Sequence, residues 1–369
     1  MTRLLNSDII NAQPDILQEH LSICLDFILD QVIGVTTVLL GGGYGRGEGT
    51  WIQKGDSYQP YNDYDFIVIL DDKLKSSYVR SLSIDTGSLA ARLGINWVDI
   101  DFLSINKLKK LKSTVKNYDI LHGSTIIYGN EHVLDNARKI AVSQISTKDL
   151  YTYFQTRAYT VLCCLPKDKK LSDLGEDELQ FFRNQLAKGL LAVMDCTLIS
   201  EYGFYCSSYV ERTQYYTKFS KDKEKIALFQ WALKEKTDPT NNYFNMDFGY
   251  KAHARLFVFY QTDMNRFLSQ YFYGIRVTLN NFRLLSLTKT TPLLKFIFSK
   301  IFYRHRKFKI ERALNHLQYI LIMTWRSDGH AEPYENQMAV INKLVTQIDS
   351  DIEANLSWSL VMDLIRKSR

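Results

Sequence analysis

Apolar positions in the first third of the chain change from a helical spacing to short continuous runs. Over residues 14–30 they recur every three or four positions, which predicts an amphipathic helix. Residues 64–70 are so continuously apolar that we expect a strand covered on both faces. The runs that predict strands are residues 38–40, 64–70, 96–103 and 124–129.

The pattern changes near residue 143, after which long amphipathic segments predominate and no series of strands is evident. We therefore predict an α+β protein, with a small mixed-sheet domain over residues 1–143 and an all-helical domain over residues 144–369. The segments that predict helices in the second domain are residues 147–165, 176–201, 222–235, 251–272, 307–325 and 333–367.

The composition is that of an ordinary globular protein, and it adds one constraint on the ligand. Hydrophobic residues make up 46% of the 369 positions and charged residues 23%, so the chain can bury the cores of two domains. The net charge of +6 favours a polyanionic ligand, but it is too small to indicate a nucleic-acid-binding protein.

The cysteines and the apolar runs bear on the cellular compartment. The five cysteines are scattered, without a Cys-x-x-Cys pair or a Cys/His cluster of zinc spacing, and this predicts reduced thiols. The first residues lack the apolar core of a signal peptide, and no apolar run reaches the length of a membrane span. We therefore expect a cytoplasmic protein without a transmembrane segment.

Two aspartates at the start of the strand over residues 64–70 are the first candidates for chemistry. Asp63 and Asp65 are two positions apart, so in a strand their side chains point to the same side. Neighbouring carboxylates repel unless a cation lies between them, and Mg²⁺ prefers such oxygens. Asp99 and Asp101 show the same spacing on the next strand. Either can supply a third carboxylate, to bind metal or to deprotonate a hydroxyl, and the spacing does not choose between them.

Glycines after the first strand supply a second candidate feature. Gly42 and Gly43 allow a sharp turn into a brief helix, expected over residues 43–51, whose N-terminal N–H groups favour a triphosphate. Arg46, one turn further, can bind a phosphate oxygen. A turn of this kind beside a magnesium site suits phosphoryl-type transfer, in which positioning and charge neutralisation dominate.

These motifs carry a resemblance to a known family. The residues Gly42-Gly43, Arg46-Gly47-Glu48 and Asp63-Tyr64-Asp65 resemble the signature of the polymerase-beta-type nucleotidyltransferase superfamily, and specifically its minimal nucleotidyltransferase branch. The resemblance spans residues 38–129 and departs from the family in two respects. Position 43 is Gly where many members have Ser, and the gap before Asp63 is longer, so we expect an extra loop over residues 54–61.

The resemblance implies roles for individual residues. It implies that Asp63 and Asp65 bind Mg²⁺ and that Gly42 and Gly43 bind the triphosphate. We take Asp101 as the third metal ligand, with Asp99 as the alternative on the same face, and count all four aspartates as candidate catalytic residues. The other residues in the candidate triphosphate site are Gly42, Gly43 and Arg46.

The activity that follows is magnesium-dependent transfer of a nucleoside monophosphate from a nucleoside triphosphate, with ATP as the expected donor. The expected acceptor is a hydroxyl of an unidentified small molecule, and pyrophosphate is released. The alternative is an antitoxin-like or regulatory nucleotidyltransferase that AMPylates or binds a partner protein. Glu48 is expected to serve as a helix-terminus or salt-bridge residue rather than as a catalyst.

The helical half is less informative. Asp195 either binds the acceptor or is paired inside a helix bundle, and the second interpretation is favoured since paired acids in helical domains are common. Arg212 and Lys188 are candidate phosphate-binding residues. Residues 293–309 are basic and aromatic, which is typical of a core helix with a solvated edge, although a surface for a membrane, RNA or an acidic partner fits the same pattern.

Overall fold

The structure is a computed structural model, and its described residues fall into two compact units. The first unit takes in residues 15–146 and 201–242, and the second takes in residues 147–200 and 243–271. The described residues are 15–54, 57–74, 78–79, 82, 84–95, 97–164 and 170–271.

A four-stranded mixed sheet forms the centre of the first unit. Its strands are β1 (Val35–Leu40), β4 (Tyr64–Leu70), β5 (Val98–Ser104) and β6 (Thr125–Gly129), in the order β5-β4-β1-β6. β1 pairs antiparallel with both β4 and β6, whereas β4 and β5 are parallel. The α+β prediction is confirmed.

Alternating side chains of the central strands enter two separate cores. On one face Val68 and its neighbours pack against helices α1 (Asp15–Gln31) and α3 (Thr86–Leu93). On the other face Ile67 and Ile69 join a core that includes residues of α4 (Ile105–Leu108) and α5 (Val115–His122). Since successive side chains of a strand point to opposite faces, the continuous apolar run of β4 is explained by burial on both sides.

The segment between β1 and β4 differs from its prediction. The expected helix over residues 43–51 is a single turn, α2 (Gly42–Gly45), and residues 51–54 and 57–60 form paired antiparallel strands instead of helix and loop. The hairpin strands are β2 (Trp51–Lys54) and β3 (Ser57–Pro60). Three glycines in four residues give the helix little intrinsic stability, so it ends as soon as the turn is complete.

The described secondary structure from residue 147 onward consists of helices joined by turns and loops, as predicted, and it includes one helix, over residues 209–219, that the sequence pattern did not predict. The second unit contains α6 (Thr147–Cys163), α7 (Glu176–Thr197) and α10 (Met246–Tyr271), and a π-helical turn (Leu198–Tyr202) directly follows α7. The predicted helices over residues 307–325 and 333–367, and the basic segment 293–309, lie outside the described residues.

One helix pair departs from the predicted division of the chain into residues 1–143 and 144–369. The helices α8 (Tyr209–Phe219) and α9 (Lys223–Thr237) belong to the same compact unit as the sheet. Buried hydrogen bonds to loops of the sheet domain account for this return of the chain, and hydrophobic spacing along a helix does not reveal such bonds.

None of the described helices combines the length and the apolar character needed to cross a membrane.

Candidate metal site

Three carboxylates meet where β4 begins. Asp63 immediately precedes β4, Asp65 is its second residue, and Asp99 lies on β5. One ligand oxygen from each of the three lies within 4.8 Å of the others. Asp65 and Asp99 are direct partners in the parallel register, so the sheet itself holds them side by side. Asp63 and Asp65 are half-buried and Asp99 is exposed, so the cluster is open to solvent. We call these three residues the acidic triad.

The structure separates the two candidates for the third carboxylate. Asp101 is the register partner of Ile67, and it lies about 6.6 Å further along β5 than Asp99, the length of two residues in a strand. It forms an ion pair of 2.6 Å with Lys116, on the surface of α5. The cluster therefore includes Asp99. Asp101, the third metal ligand predicted from the sequence, lies outside it and pairs with Lys116.

The glycine turn packs directly against the triad. The N–H of Gly41 donates to the main-chain oxygen of Asp65 at 2.7 Å, which fixes the turn to β4. Gly42 has a φ of +59°, and a Cβ added there would lie 2.0 Å from Oδ2 of Asp65. Only glycine combines this backbone conformation with such a close approach. The hydrogen bond from Gly41 and the close approach of Gly42 therefore fix the position of the turn relative to the Asp65 carboxylate.

Arg46 and Glu48, which follow the glycine turn, contact the start of helix α8. Nε of Arg46 donates to Oε2 of Glu48 at 3.2 Å, and the guanidinium lies 4.7 Å from the ring centre of Tyr209. The Glu48 carboxylate in turn accepts hydrogen bonds from the Ser208 hydroxyl (2.7 Å) and from the N–H groups of Tyr209 and Val210. These contacts cap the first turn of α8, which confirms the helix-terminus prediction for Glu48.

The capping arrangement also sets the charge of Glu48. Burial pushes the pKa of this carboxyl upward, but the hydrogen bonds from Ser208 and Tyr209 and the charge of Arg46 outweigh it, so its pKa is lowered. Glu48 is therefore an anion that holds α8. The side chain of Arg46 is 8% exposed, and its Nε is used in this link.

Trp97 is a neighbour of the triad that the sequence pattern did not single out. Its indole N–H donates to Oδ1 of Asp99 at 3.0 Å, and its side chain is 63% exposed. A tryptophan next to an acidic strand looks like a surface residue in sequence. Trp97 and Asp99 are two positions apart, and in an extended chain side chains at that spacing lie on the same side. This spacing is the one feature of the sequence that could have indicated their contact.

The candidate residues of the helical segments lie in other surroundings. Asp195 is buried in α7 and accepts a hydrogen bond from the Tyr153 hydroxyl at 3.0 Å, which bears out the bundle interpretation. Arg212 is buried in α8, where its Nε and Nη2 donate to the main-chain oxygens of Ser208 and Ser207. Lys188 is half-buried on α7.

Chemically, the acidic triad offers hard oxygen ligands at an accessible edge of a rigid sheet. Such a set can hold a divalent cation, and the open side leaves room for ligands that the protein does not provide. Searches against models of protein families, curated proteins and solved structures found no match to this chain.

Proposed function

We propose that the first unit is a magnesium-dependent nucleotidyltransferase that moves a nucleoside monophosphate from a nucleoside triphosphate, with ATP as donor, to a hydroxyl of a small-molecule acceptor. The observation that carries the proposal is the convergence of Asp63, Asp65 and Asp99 beside a glycine turn that is moulded onto Asp65. This pairing of features supports the resemblance to the polymerase-beta-type nucleotidyltransferases, which rests on the motif residues alone.

The residues of the triad fit magnesium. Oxygens on opposite sides of a Mg²⁺ ion are about 4 Å apart, since each lies 2.0–2.1 Å from the metal. The 4.8 Å limit on the spacing of the triad oxygens is close enough that small side-chain rotations bring them to this geometry. When bound, the ion supplies charge neutralisation for the phosphates and holds them in line.

Each residue then has a distinct task. Asp63 and Asp65 hold the metal, and the turn at Gly42 and Gly43 lies against Asp65, where a triphosphate tail would be bound with it. Asp99 is exposed whereas Asp63 and Asp65 are half-buried, and we therefore assign it the task of receiving the proton of the acceptor hydroxyl.

The reaction is a substitution at the α-phosphorus. The acceptor oxygen forms a bond to this phosphorus while the bond from the phosphorus to the bridging α–β oxygen breaks. Pyrophosphate leaves with the electron pair, and the hydroxyl proton passes to the Asp99 carboxylate. Because both phosphorus–oxygen bonds lie along one line, positioning by the carboxylates and the turn accounts for most of the catalysis.

The test uses nucleoside triphosphates labelled at the α-phosphate. The full-length protein is incubated with each labelled ATP, CTP, GTP and UTP plus magnesium, with and without cell extract. We expect label in small metabolites, lost by on the order of a hundredfold or more in Asp63→Asn and Asp99→Asn. Asp101→Asn, the matched change on the same strand face, is expected to lose less than about tenfold.

Two outcomes would contradict the proposal. Labelling that persists in Asp63→Asn would show that the triad does not carry the reaction. Label that appears on a single protein band instead of in small metabolites would replace the small-molecule acceptor by a partner protein, which is the regulatory alternative.

A further inference from the structure

The short loop that leads into Asp63 is held by a helix far away in sequence. The Tyr61 hydroxyl donates to Oε1 of Glu235 at 2.5 Å, and Nζ of Lys236 donates to Oδ1 of Asn62 at 2.6 Å. Both partners lie in the last turn of α9, 174 residues further along the chain. We call these four residues the loop clamp.

The loop clamp is buried. Glu235 is 0% exposed, Lys236 6%, and Tyr61 and Asn62 8% each. Charged side chains are rarely buried to this extent unless they are paired with hydrogen-bonding partners, because removing them from water is costly. A surface loop does not need such an arrangement in order to connect two strands. The clamp therefore points to a requirement for a fixed loop.

Further hydrogen bonds connect the clamp to the glycine turn. The Thr50 hydroxyl donates to the main-chain oxygen of Lys236, and the Thr50 carbonyl accepts from the N–H of Tyr61 at 2.8 Å. The same carbonyl accepts from the Tyr44 hydroxyl at 2.7 Å, and Tyr44 belongs to α2. Burial raises the pKa of Tyr44, so this hydroxyl stays a donor. Both segments that approach Asp65 are thus tied to one network.

Glu235 is itself oriented by a second donor. Nδ2 of Asn242 donates to Oε2 of Glu235 at 2.9 Å, while Oε1 receives the Tyr61 hydroxyl. With one oxygen assigned to each donor, rotation of the carboxylate would break both bonds. The position of Tyr61, two residues before Asp63, follows from this orientation.

We propose that Glu235 and Lys236 are positioning residues for Asp63, and that through Tyr61 and Asn62 they keep its carboxylate in the acidic triad. The inference rests on the proposed metal site. Three neighbouring carboxylates repel one another. In the absence of a cation, a loop without these hydrogen bonds would allow the Asp63 side chain to move away from Asp65 and Asp99. A clamped loop instead lowers the ordering cost of binding, because the geometry exists beforehand.

The test measures Mn²⁺ binding to the full-length protein by electron paramagnetic resonance, together with the melting temperature. Tyr61→Phe removes the bond to Glu235, and Glu235→Leu removes that bond together with the one from Asn242. We expect about five- to tenfold weaker Mn²⁺ binding from each variant. Glu235→Gln keeps an oxygen that accepts from Tyr61, so it is expected to retain most of the affinity. Tyr118→Phe is the matched control, since it removes a hydroxyl that donates to the Tyr205 main chain.

The control separates positioning from general stability. Tyr118→Phe should lower the melting temperature by an amount similar to Tyr61→Phe and leave Mn²⁺ affinity unchanged. Equal weakening in both variants, or wild-type affinity in Tyr61→Phe and Glu235→Leu, would overturn the positioning role. Asp65→Asn decides the prior question: if it binds Mn²⁺ like the wild type, the proposed metal site fails, and the loop clamp has nothing to position.

Discussion

Two groups of aspartates in this protein contrast in what surrounds them. In the acidic triad, Asp63, Asp65 and Asp99 face one another at an accessible edge of the sheet. In the helical unit, Asp195 is 1% exposed and accepts from Tyr153, and Asp263 is 3% exposed and pairs with Arg266 at 3.0 Å. Buried acids provided with donors stabilise a bundle. Like charges gathered at an accessible edge repel one another, which makes this cluster a candidate site for a cationic ligand.

Substitution of one residue from each group should give the largest effects, with opposite signatures. Asp65→Asn is expected to weaken Mn²⁺ binding by on the order of a hundredfold and to leave the melting temperature equal or higher, because it relieves repulsion. Asp195→Leu should leave Mn²⁺ binding intact and lower the free energy of unfolding by about 2–4 kcal/mol, since buried partners lose an acceptor. Calorimetry and Mn²⁺ titration of both variants provide the measurement. If both variants changed Mn²⁺ binding and stability in the same way, the distinction between the two groups of aspartates would be wrong.

Glu48 sharpens the comparison. It lies in the first unit, like the acidic triad, but it is paired with donors, like Asp195 and Asp263. Glu48→Gln should lower the free energy of unfolding by about 1–2 kcal/mol at pH 7, through loss of a charged cap and of the Arg46 ion pair.

The pH dependence of this loss has a definite sign. Since the pKa of Glu48 is lowered in the folded state, its contribution is fully present above the unfolded pKa of about 4.3 and disappears as pH falls through the folded pKa. Denaturant unfolding at pH 7 and pH 3 should therefore show a gap in the free energy of unfolding between wild type and Glu48→Gln that is smaller at the lower pH. Glu131→Gln, at an exposed position, serves as the control and should unfold like the wild type at both values. A gap of equal size at both pH values would contradict the assignment.

Trp97 should give the smallest effect, because its hydrogen bond to Asp99 is exposed to solvent. Trp97→Phe removes the N–H donor but keeps an aromatic ring, and we expect Mn²⁺ binding to weaken about two- to threefold with an unchanged melting temperature. Tryptophan fluorescence should be quenched by Mn²⁺ in the wild type and much less in the variant. Quenching of equal depth in both proteins would show that Trp97 does not adjoin the bound metal.

Much of the site was predictable, because its parts are local in sequence. The spacing of Asp63 and Asp65 at the mouth of an apolar run, and the glycines after the preceding run, follow from strand periodicity and turn chemistry. The same periodicity could not choose between Asp99 and Asp101, since both lie on the same face of β5. The parallel register decided it by setting Asp99 opposite Asp65.

The role of Arg46 shows where local reasoning ends. One turn from a glycine loop, an arginine is well placed for a phosphate, and the sequence pattern does not show which of its possible partners it binds. Glu48, two residues away, is a competing partner within the local sequence. The other partner, the ring of Tyr209, reaches Arg46 only because α8 returns to the sheet unit after more than 150 residues. The same return brings Glu235 and Lys236 to Tyr61 and Asn62.

By itself, then, the sequence determined the strands of the main sheet, the α+β class and the identity of the aspartates and glycines at the candidate site, because hydrophobic period and turn chemistry act over a few residues. It did not determine the hairpin after the glycine turn or the helix α8. The tertiary structure alone decided which third carboxylate joins the triad, which charged residues are structural, and which helix holds the loop before Asp63. Those outcomes depend on strand register and on hydrogen bonds between distant segments, and neither can be recognised from the periodic pattern of apolar residues in the sequence.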